Sequence, residues 1–236
     1  MSTVSGGQGN IVTNGLVLNL DAANPRSYPQ PYNGTTWQNI APISSSLTGS
    51  LVGGVTYTGS NNGALVFDGV NDYVTLGTQT LITTDFTIGC WFNVQGVSSK
   101  EHYLINVGYN SLSSFLVVLS TTPTIFTSFL YYRNPDGSVT GYPIAGNFNA
   151  NTVSYISITR LGSLNTVYVN GVSIGTFSNG TVLASNLNFQ LGWAIPRNKA
   201  DAYFKGSIYS TQIYNRALNA SEVLQNFNAT RARFGI

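Results

Sequence analysis

From Leu16 onward the chain alternates short apolar-rich runs with clusters of Gly, Asn, Pro and Asp. The runs are LVLNL, LTGSLV, ALVF, YVTL, FTIGCWFNV, HYLINV, SFLVVLS, TIFTSFLYY, VSYISI, TVYV, VSIGTF, NFQLGW and SIYSTQIY. Recurring at roughly eight to twelve residues between turn signals, they predict an antiparallel sandwich or barrel. Two-residue alternation is clearest where Phe86, Ile88, Cys90, Phe92 and Val94 fall on one face. Thr87, Gly89, Trp91 and Asn93 fall on the other. Residues 166–176 predict a hairpin. The pair Asn170 and Gly171 suits the two positive φ angles of a type I′ turn, with Val167 and Val169 leading in and Val172 and Ile174 leading out. One short helix is predicted near the C-terminus. Asn219 can cap its first free amides while Glu222, three residues on, reaches back. Val223, Leu224 and Phe227 then form an apolar stripe, and Arg231 and Arg233 fall where cations complement the helix dipole.

Residues 1–14 are rich in Gly, Ser and Asn and read as a flexible arm. Residues 15–236 show no internal repeat and no break in composition, so they read as one domain. All-β units reach this length singly and bury a core without disulfides. Polarity comes from Asn, Ser, Thr and Gly, since charged residues make up 8% against about a quarter in ordinary domains. That mix excludes a charged disordered chain and a coiled coil. A net charge of +2, on scattered cations, calls for no nucleic acid. Cys90 stands alone, which excludes an intrachain disulfide, and within FTIGCWF it reads as a small buried hydrophobe. The opening residues lack the basic and apolar stretches of a signal peptide, and no run approaches the roughly 18–20 apolar residues of a membrane span. Synthesis and folding in a cytoplasm are therefore expected. The sequons at Asn33, Asn179, Asn219 and Asn228 would matter only on secretion.

Several words of the sequence carry a family pattern. They are GLVLNLDAANPRSY at 15–28, TTWQNI at 35–40, ALVFDGVNDYVTL at 64–76, DFTIGCWF at 85–92, VYVNGVSIG at 167–175 and FKGSIYSTQIYNRALNASEVLQNFNATRARFG at 204–235. In these words and their order the chain resembles the laminin-G-like, concanavalin A-like jelly-roll family, in the branch found in structural proteins of tailed phages and marine viruses. The resemblance implies an all-β fold: an antiparallel two-sheet jelly-roll sandwich of about six or seven strands per sheet, with one short C-terminal helix at its edge. Residues 95–150 match no family word.

The family includes glycoside hydrolases, and retaining ones need two carboxyl groups about 5–5.5 Å apart. In this architecture they sit on one strand in an E-x-D-x-x-E type of word. This chain has only Glu101 and Glu222 as glutamates and no carboxylates two apart on a strand, so glycoside hydrolysis is not expected. His102 is the only histidine, which excludes a multi-histidine metal site, and Glu101-His102 reads as a polar loop entering the HYLINV strand. No phosphate-binding glycine word and no nucleophile elbow occur.

No cofactor is required by these residues. The resemblance nonetheless implies Ca²⁺ at the sandwich rim, with Asp68, Asn71 and Asp72 as candidate ligands and Asp21 as a possible neighbour. Asp68 and Asn71 equally suit Asx-type turn hydrogen bonds. For carbohydrate, aromatic faces in or beside loops are the candidates: Tyr109, Tyr131, Tyr132, Tyr142 and Trp193. Most aromatics of an all-β protein serve packing instead.

Resemblance and composition together lead to the expectation of a non-enzymatic phage virion structural protein. It would be a surface-exposed capsid decoration or a fibre or tail component, oligomeric on the particle and joined to other virion proteins through the arm. The alternative is a lectin-like module recognising host cell-surface glycans.

Overall fold

The computed structural model of the chain describes residues 10–29, 31–42, 46–95, 101–108, 114–121, 125–194 and 203–236. In chain order its strands begin with β1 (Leu16–Asp21), β2 (Thr36–Gln38), β3 (Thr48–Val52), β4 (Thr56–Thr58), β5 (Ala64–Asp68), β6 (Tyr73–Gln79), β7 (Phe86–Val94) and β8 (Glu101–Val107). They continue with β9 (Ser114–Thr121), β10 (Ile125–Arg133), β11 (Val139–Asn149), β12 (Val153–Leu161), β13 (Leu164–Val169), β14 (Val172–Ser178), β15 (Leu187–Leu191) and β16 (Lys205–Tyr214). One helix follows, α1 (Ala220–Arg231).

Among the described residues every strand pair is antiparallel, and the strands form two sheets of eight. The first runs β14-β13-β12-β7-β16-β5-β4, and β1 shares one side of β16 with β5. The second runs β11-β10-β9-β8-β15-β6-β3-β2. The expected jelly-roll sandwich is therefore the fold, with more strands than foreseen because β2, β4 and β11 carry no run recognised above.

The core lies between the sheets. Phe86, Ile88, Cys90, Phe92 and Val94 all point into it, as the alternation requires. Phe92 meets Phe148 of β11 edge-on at 5.2 Å, and Phe86 meets Phe115 of β9 at 5.8 Å, so rings from facing sheets interlock. The Cys90 thiol is fully buried there, which pushes its pKa up to about 12.

The opposite face of β7 is also buried, because α1 and the residues after it cover it. Trp91 stacks on Phe227 at 5.5 Å and on Phe234 at 4.3 Å, and its indole N–H donates to Thr230 Oγ1 at 2.8 Å. Gly89 is needed in this layer, since a Cβ there would press on the Tyr155 hydroxyl. The helix is capped as the sequence predicts. Asn219 Oδ1 accepts from the Glu222 amide at 3.0 Å, and Glu222 Oε2 accepts from the Asn219 amide at 2.9 Å. Val223 and Phe227 bury their side chains, whereas Leu224 lies a third of a turn off that stripe and is 44% exposed.

Two further expectations change. Glu101 and His102 are not a loop but the start of β8, and His102 is buried with Nδ1 accepting from the Lys205 amide at 3.1 Å. Residues 10–14 of the expected arm lie against the domain. The Val12 amide donates to Asn226 Oδ1 at 2.8 Å, the Tyr214 hydroxyl donates to the Val12 carbonyl at 3.0 Å, and Gln225 Nε2 donates to the Asn10 carbonyl at 2.8 Å. Residues 1–9 lie outside the described residues. The hairpin turn stands as predicted, with φ of 49° at Asn170 and 80° at Gly171.

Candidate functional site

The FDGVNDYV word closes β5 and opens β6 at one rim of the sandwich. Asp68 Oδ1 accepts from the amides of Val70 at 2.7 Å and Asn71 at 3.4 Å, an Asx turn. Asp72 folds back so that Oδ2 accepts from the Asp68 amide at 2.9 Å, while Oδ1 is enclosed without a hydrogen-bond partner. Burial, with the Asp68 charge beside it, pushes the Asp72 carboxyl above the usual carboxylate range. Asn71 is exposed.

Asp21 is not at this rim. It faces Ser210 of β16 across the β1 pairing, whereas Asp68 faces Lys205, and those five residues of strand span roughly 16 Å. Asp21 Oδ1 is held by the Arg233 guanidinium at 2.8 Å. Among the described residues no group of three or more His, Cys, Asp or Glu side chains could hold a metal ion. The four candidate ligands thus divide between two places, Asp68, Asn71 and Asp72 at one and Asp21 at the other, so their side chains do not converge on one ion.

The aromatic candidates divide as well. Tyr109 lies outside the described residues. Tyr132 is fully buried and cannot face a ligand. Its hydroxyl donates to Asn165 Oδ1 at 2.7 Å, its ring carries the Arg160 guanidinium at 5.3 Å, and burial pushes its pKa up to about 12. Tyr131 packs over Gly141 and against the small cluster of Tyr103, Val118 and Ala194. Tyr142 stacks on Phe177 at 4.0 Å, its hydroxyl donates to the Ser178 carbonyl at 2.9 Å, and with Ile144 and Ile174 it lines an apolar cleft of about 290 Å³ between β11 and β14.

Trp193 is different. It follows β15 directly after Gly192, whose amide donates to the Leu104 carbonyl and whose carbonyl accepts from the Phe204 amide. These bonds fix the indole at the rim beside the Asp68–Asp72 turn. Tyr73 lies 4.9 Å from it, and Tyr203 stacks on it at 5.8 Å with an interplanar angle of 12°. All three rings are half-buried, so each keeps part of its surface in solvent. Burial, and Tyr73 nearby, raise the Tyr203 pKa, which keeps the phenol neutral. Polar groups lie close along the chain: the exposed Asp68 and Asn71 shortly before Tyr73, and Lys205, register partner of Asp68, two residues after Tyr203. Sequence reasoning named Trp193 but missed Tyr73 and Tyr203. The available signal for Tyr73 was its place next to Asp72 at the mouth of a turn.

Two curved antiparallel sheets, a covering C-terminal helix and a rim bearing stacked aromatic and hydrogen-bonding side chains define a lectin-like jelly roll. The chain belongs to the concanavalin A-like lectin/glucanases superfamily (Laminin_G_3), whose family model matches residues 68–224. No curated protein matches the chain by sequence. Among solved structures it is similar to domain 4 of AbnA, an extracellular GH43 arabinanase from Geobacillus stearothermophilus in complex with arabinotriose, at 18% identity and a TM-score of 0.64, covering 91% of this chain and 99% of that one. It is also similar to the binding domain of Paraclostridial Mosquitocidal Protein 1, at 19% identity and a TM-score of 0.67, covering 91% of this chain and 52% of that one. A third is Trypanosoma rangeli sialidase, at 16% identity and a TM-score of 0.65, covering 93% of this chain and 34% of that one. The chain thus spans nearly all of the first, about half of the second and a third of the third. These likenesses establish the fold.

Proposed function

We propose that the protein is a non-catalytic carbohydrate-binding module whose ligand lies on the Tyr73–Trp193–Tyr203 stack. The observation that carries this reading is the stack itself: Trp193 and Tyr203, ten residues apart, converge with the remote Tyr73 on one partly exposed rim. A ring face takes the C–H surface of a sugar, and Asp68, Asn71 and Lys205 beside it can read hydroxyls. The arabinanase domain, solved with arabinotriose, supports this use of the fold. The two glutamates support a role without bond cleavage. Glu222 is tied to Arg216 at 2.6 Å and to the helix cap, and Glu101 accepts from the Tyr103 hydroxyl at 2.8 Å. The test is a glycan microarray followed by calorimetric titration of the best ligand. Trp193→Ala should weaken binding at least tenfold, about 1.4 kcal/mol, with an unchanged melting temperature. Equal affinity in the variant, or release of reducing sugar from any polysaccharide, would overturn the reading.

A second reading, compatible with the first, is a phage virion component on the particle surface, decorating the capsid or forming part of a fibre or tail. One feature favours it beyond the family words. The edge strand β14, VSIGTFS, carries no charge, and its Val172 and the Leu224 of α1 are 64% and 44% exposed, a surface suited to packing against a neighbouring virion protein. Quantitative mass spectrometry of purified particles tests this, with a copy number in fixed ratio to the capsid or tail subunits expected. Absence from washed particles would overturn it.

A further inference from the structure

A groove on the outer face of the first sheet has the chemistry of a ligand site distinct from the aromatic rim. It encloses about 420 Å³ among the segment 10–13, β1, β16, the loop at 40–42 and the last turns of α1. Such a volume lies within the roughly 300–1,000 Å³ of small-molecule sites. Past Ile40 and Pro42, which line both parts, a second lobe of about 360 Å³ includes Arg26.

The floor is polar, beside the cluster of Trp91, Tyr155 and Tyr214. Asn19 of β1 and Gln212 of β16 are cross-strand partners, and both line the groove. Their amides meet at 3.4 Å, a long hydrogen bond that leaves each with donor and acceptor capacity for another group. Asp21, two residues along, presents a carboxylate whose Oδ1 is engaged by the Ala23 amide and Arg233, with Oδ2 remaining as an acceptor. The frame is held independently of any ligand. Asn39 Oδ1 accepts from the amides of Asn19 and Ala41, Asn39 Nδ2 donates to the Val17 carbonyl, and the Ile40 amide donates to the Asn19 carbonyl. A ligand would therefore meet planar hydrogen-bonding groups already in position, with little ordering cost.

The lining also selects the ligand. In the first lobe Asp21 repels an anion, and its pairing with Arg233 removes the need for a cation, while the exposed Arg26 belongs to the second lobe alone. Aliphatic walls at Ile40 and Pro42 suit C–H surface, and the amides suit hydroxyls. We propose that this groove is a second binding site for a neutral, hydroxyl-rich ligand, a saccharide or similar polyol. From Lys205, beside the rim, to Gln212 the β16 strand runs roughly 20 Å. The two sites would thus act as separate contacts on one polysaccharide or surface.

Side-chain amide NMR of the full chain tests this with L-arabinose, D-galactose and sorbitol at millimolar concentration, and D-gluconate as the anionic control. The expected result is saturable shifts of the Asn19 and Gln212 NH₂ signals with the neutral probes. The shifts should persist in Trp193→Ala and weaken at least tenfold in Gln212→Met. Ala229→Leu, which fills the groove from the half-exposed wall of α1 without touching its floor, should weaken them likewise. Silent Asn19 and Gln212 signals would overturn the groove proposal while leaving the rim reading intact, provided signals at Trp193 move. Groove shifts with a silent rim would uphold this proposal and defeat the other. Equal or stronger shifts with gluconate would overturn the neutral-ligand assignment.

Discussion

Asp72 and Gly89 show how single positions constrain this sandwich. The Asp72 carboxyl is buried with one oxygen unpartnered, and its folded pKa lies above the ordinary value. A carboxyl raised in this way favours the folded state at low pH, and that contribution is lost as pH climbs through the ordinary and then the folded value. Asp72→Asn keeps an acceptor for the Asp68 amide and removes the charge. The change in stability on substitution should therefore be more favourable at pH 7 than near pH 3, as urea unfolding at the two pH values would measure, and an equal change at both would refute the raised carboxyl. At Gly89, close packing decides. A methyl group collides with the Tyr155 hydroxyl, so Gly89→Ala should cost about 1–3 kcal/mol. Adding Tyr155→Phe should recover part of that loss in a double-mutant cycle, and two independent costs would refute the contact as its origin.

At the scale of elements, α1 is the piece whose local signals and tertiary packing agree most closely. Its capping box is present, and Glu222 also binds Arg216 at 2.6 Å. The Arg216 guanidinium holds the Glu222 carboxyl below its ordinary pKa. Here the sign is opposite to that of Asp72: the stabilisation is present above the unfolded value and lost as pH falls through the folded one. Both side chains are part-exposed, which keeps the pair's contribution at or below about 1 kcal/mol. Arg216→Met should flatten the acid limb of the stability curve, and an unchanged limb would show that the pair contributes nothing. Asn219→Ala, which removes the cap itself, should cost about 1 kcal/mol. Because α1 covers Trp91 and Tyr155, that loss should appear in global unfolding as well as in helix fraying.

For the whole molecule, the two layers were legible from the spacing of apolar runs, and the hairpin and helix cap from local turn and capping chemistry. Strands β2 and β4, TWQ and TYT, are three residues long and too short to show a period. The β11 strand contains Pro143 and three interspersed small residues, and its place at a sheet edge is where proline is tolerated. The rim was half legible. Trp193 stands out beside Gly192, but its meeting with Tyr73 depends on β6 and β15 pairing across more than a hundred residues, and its meeting with Tyr203 on the chain returning ten residues later. The grouping of Asp21 with Asp68 failed for the same reason, since β1 and β5 pair with different stretches of β16. With the carboxylates so divided, Ca²⁺ should leave the melting temperature unchanged. A rise of several degrees that Asp68→Ala abolishes would restore the metal reading.

The bonds from Asn10 and Val12 to Gln225 and Asn226 bring the described start of the polypeptide alongside its final helix. A unit whose entry and exit are neighbours can be spliced into a surface loop of a larger host, or rewired by a short bridge between its ends and reopened elsewhere, without parting its layers. Shuffling of this kind, as cassette rather than as tail, is open to the molecule by virtue of that one seam.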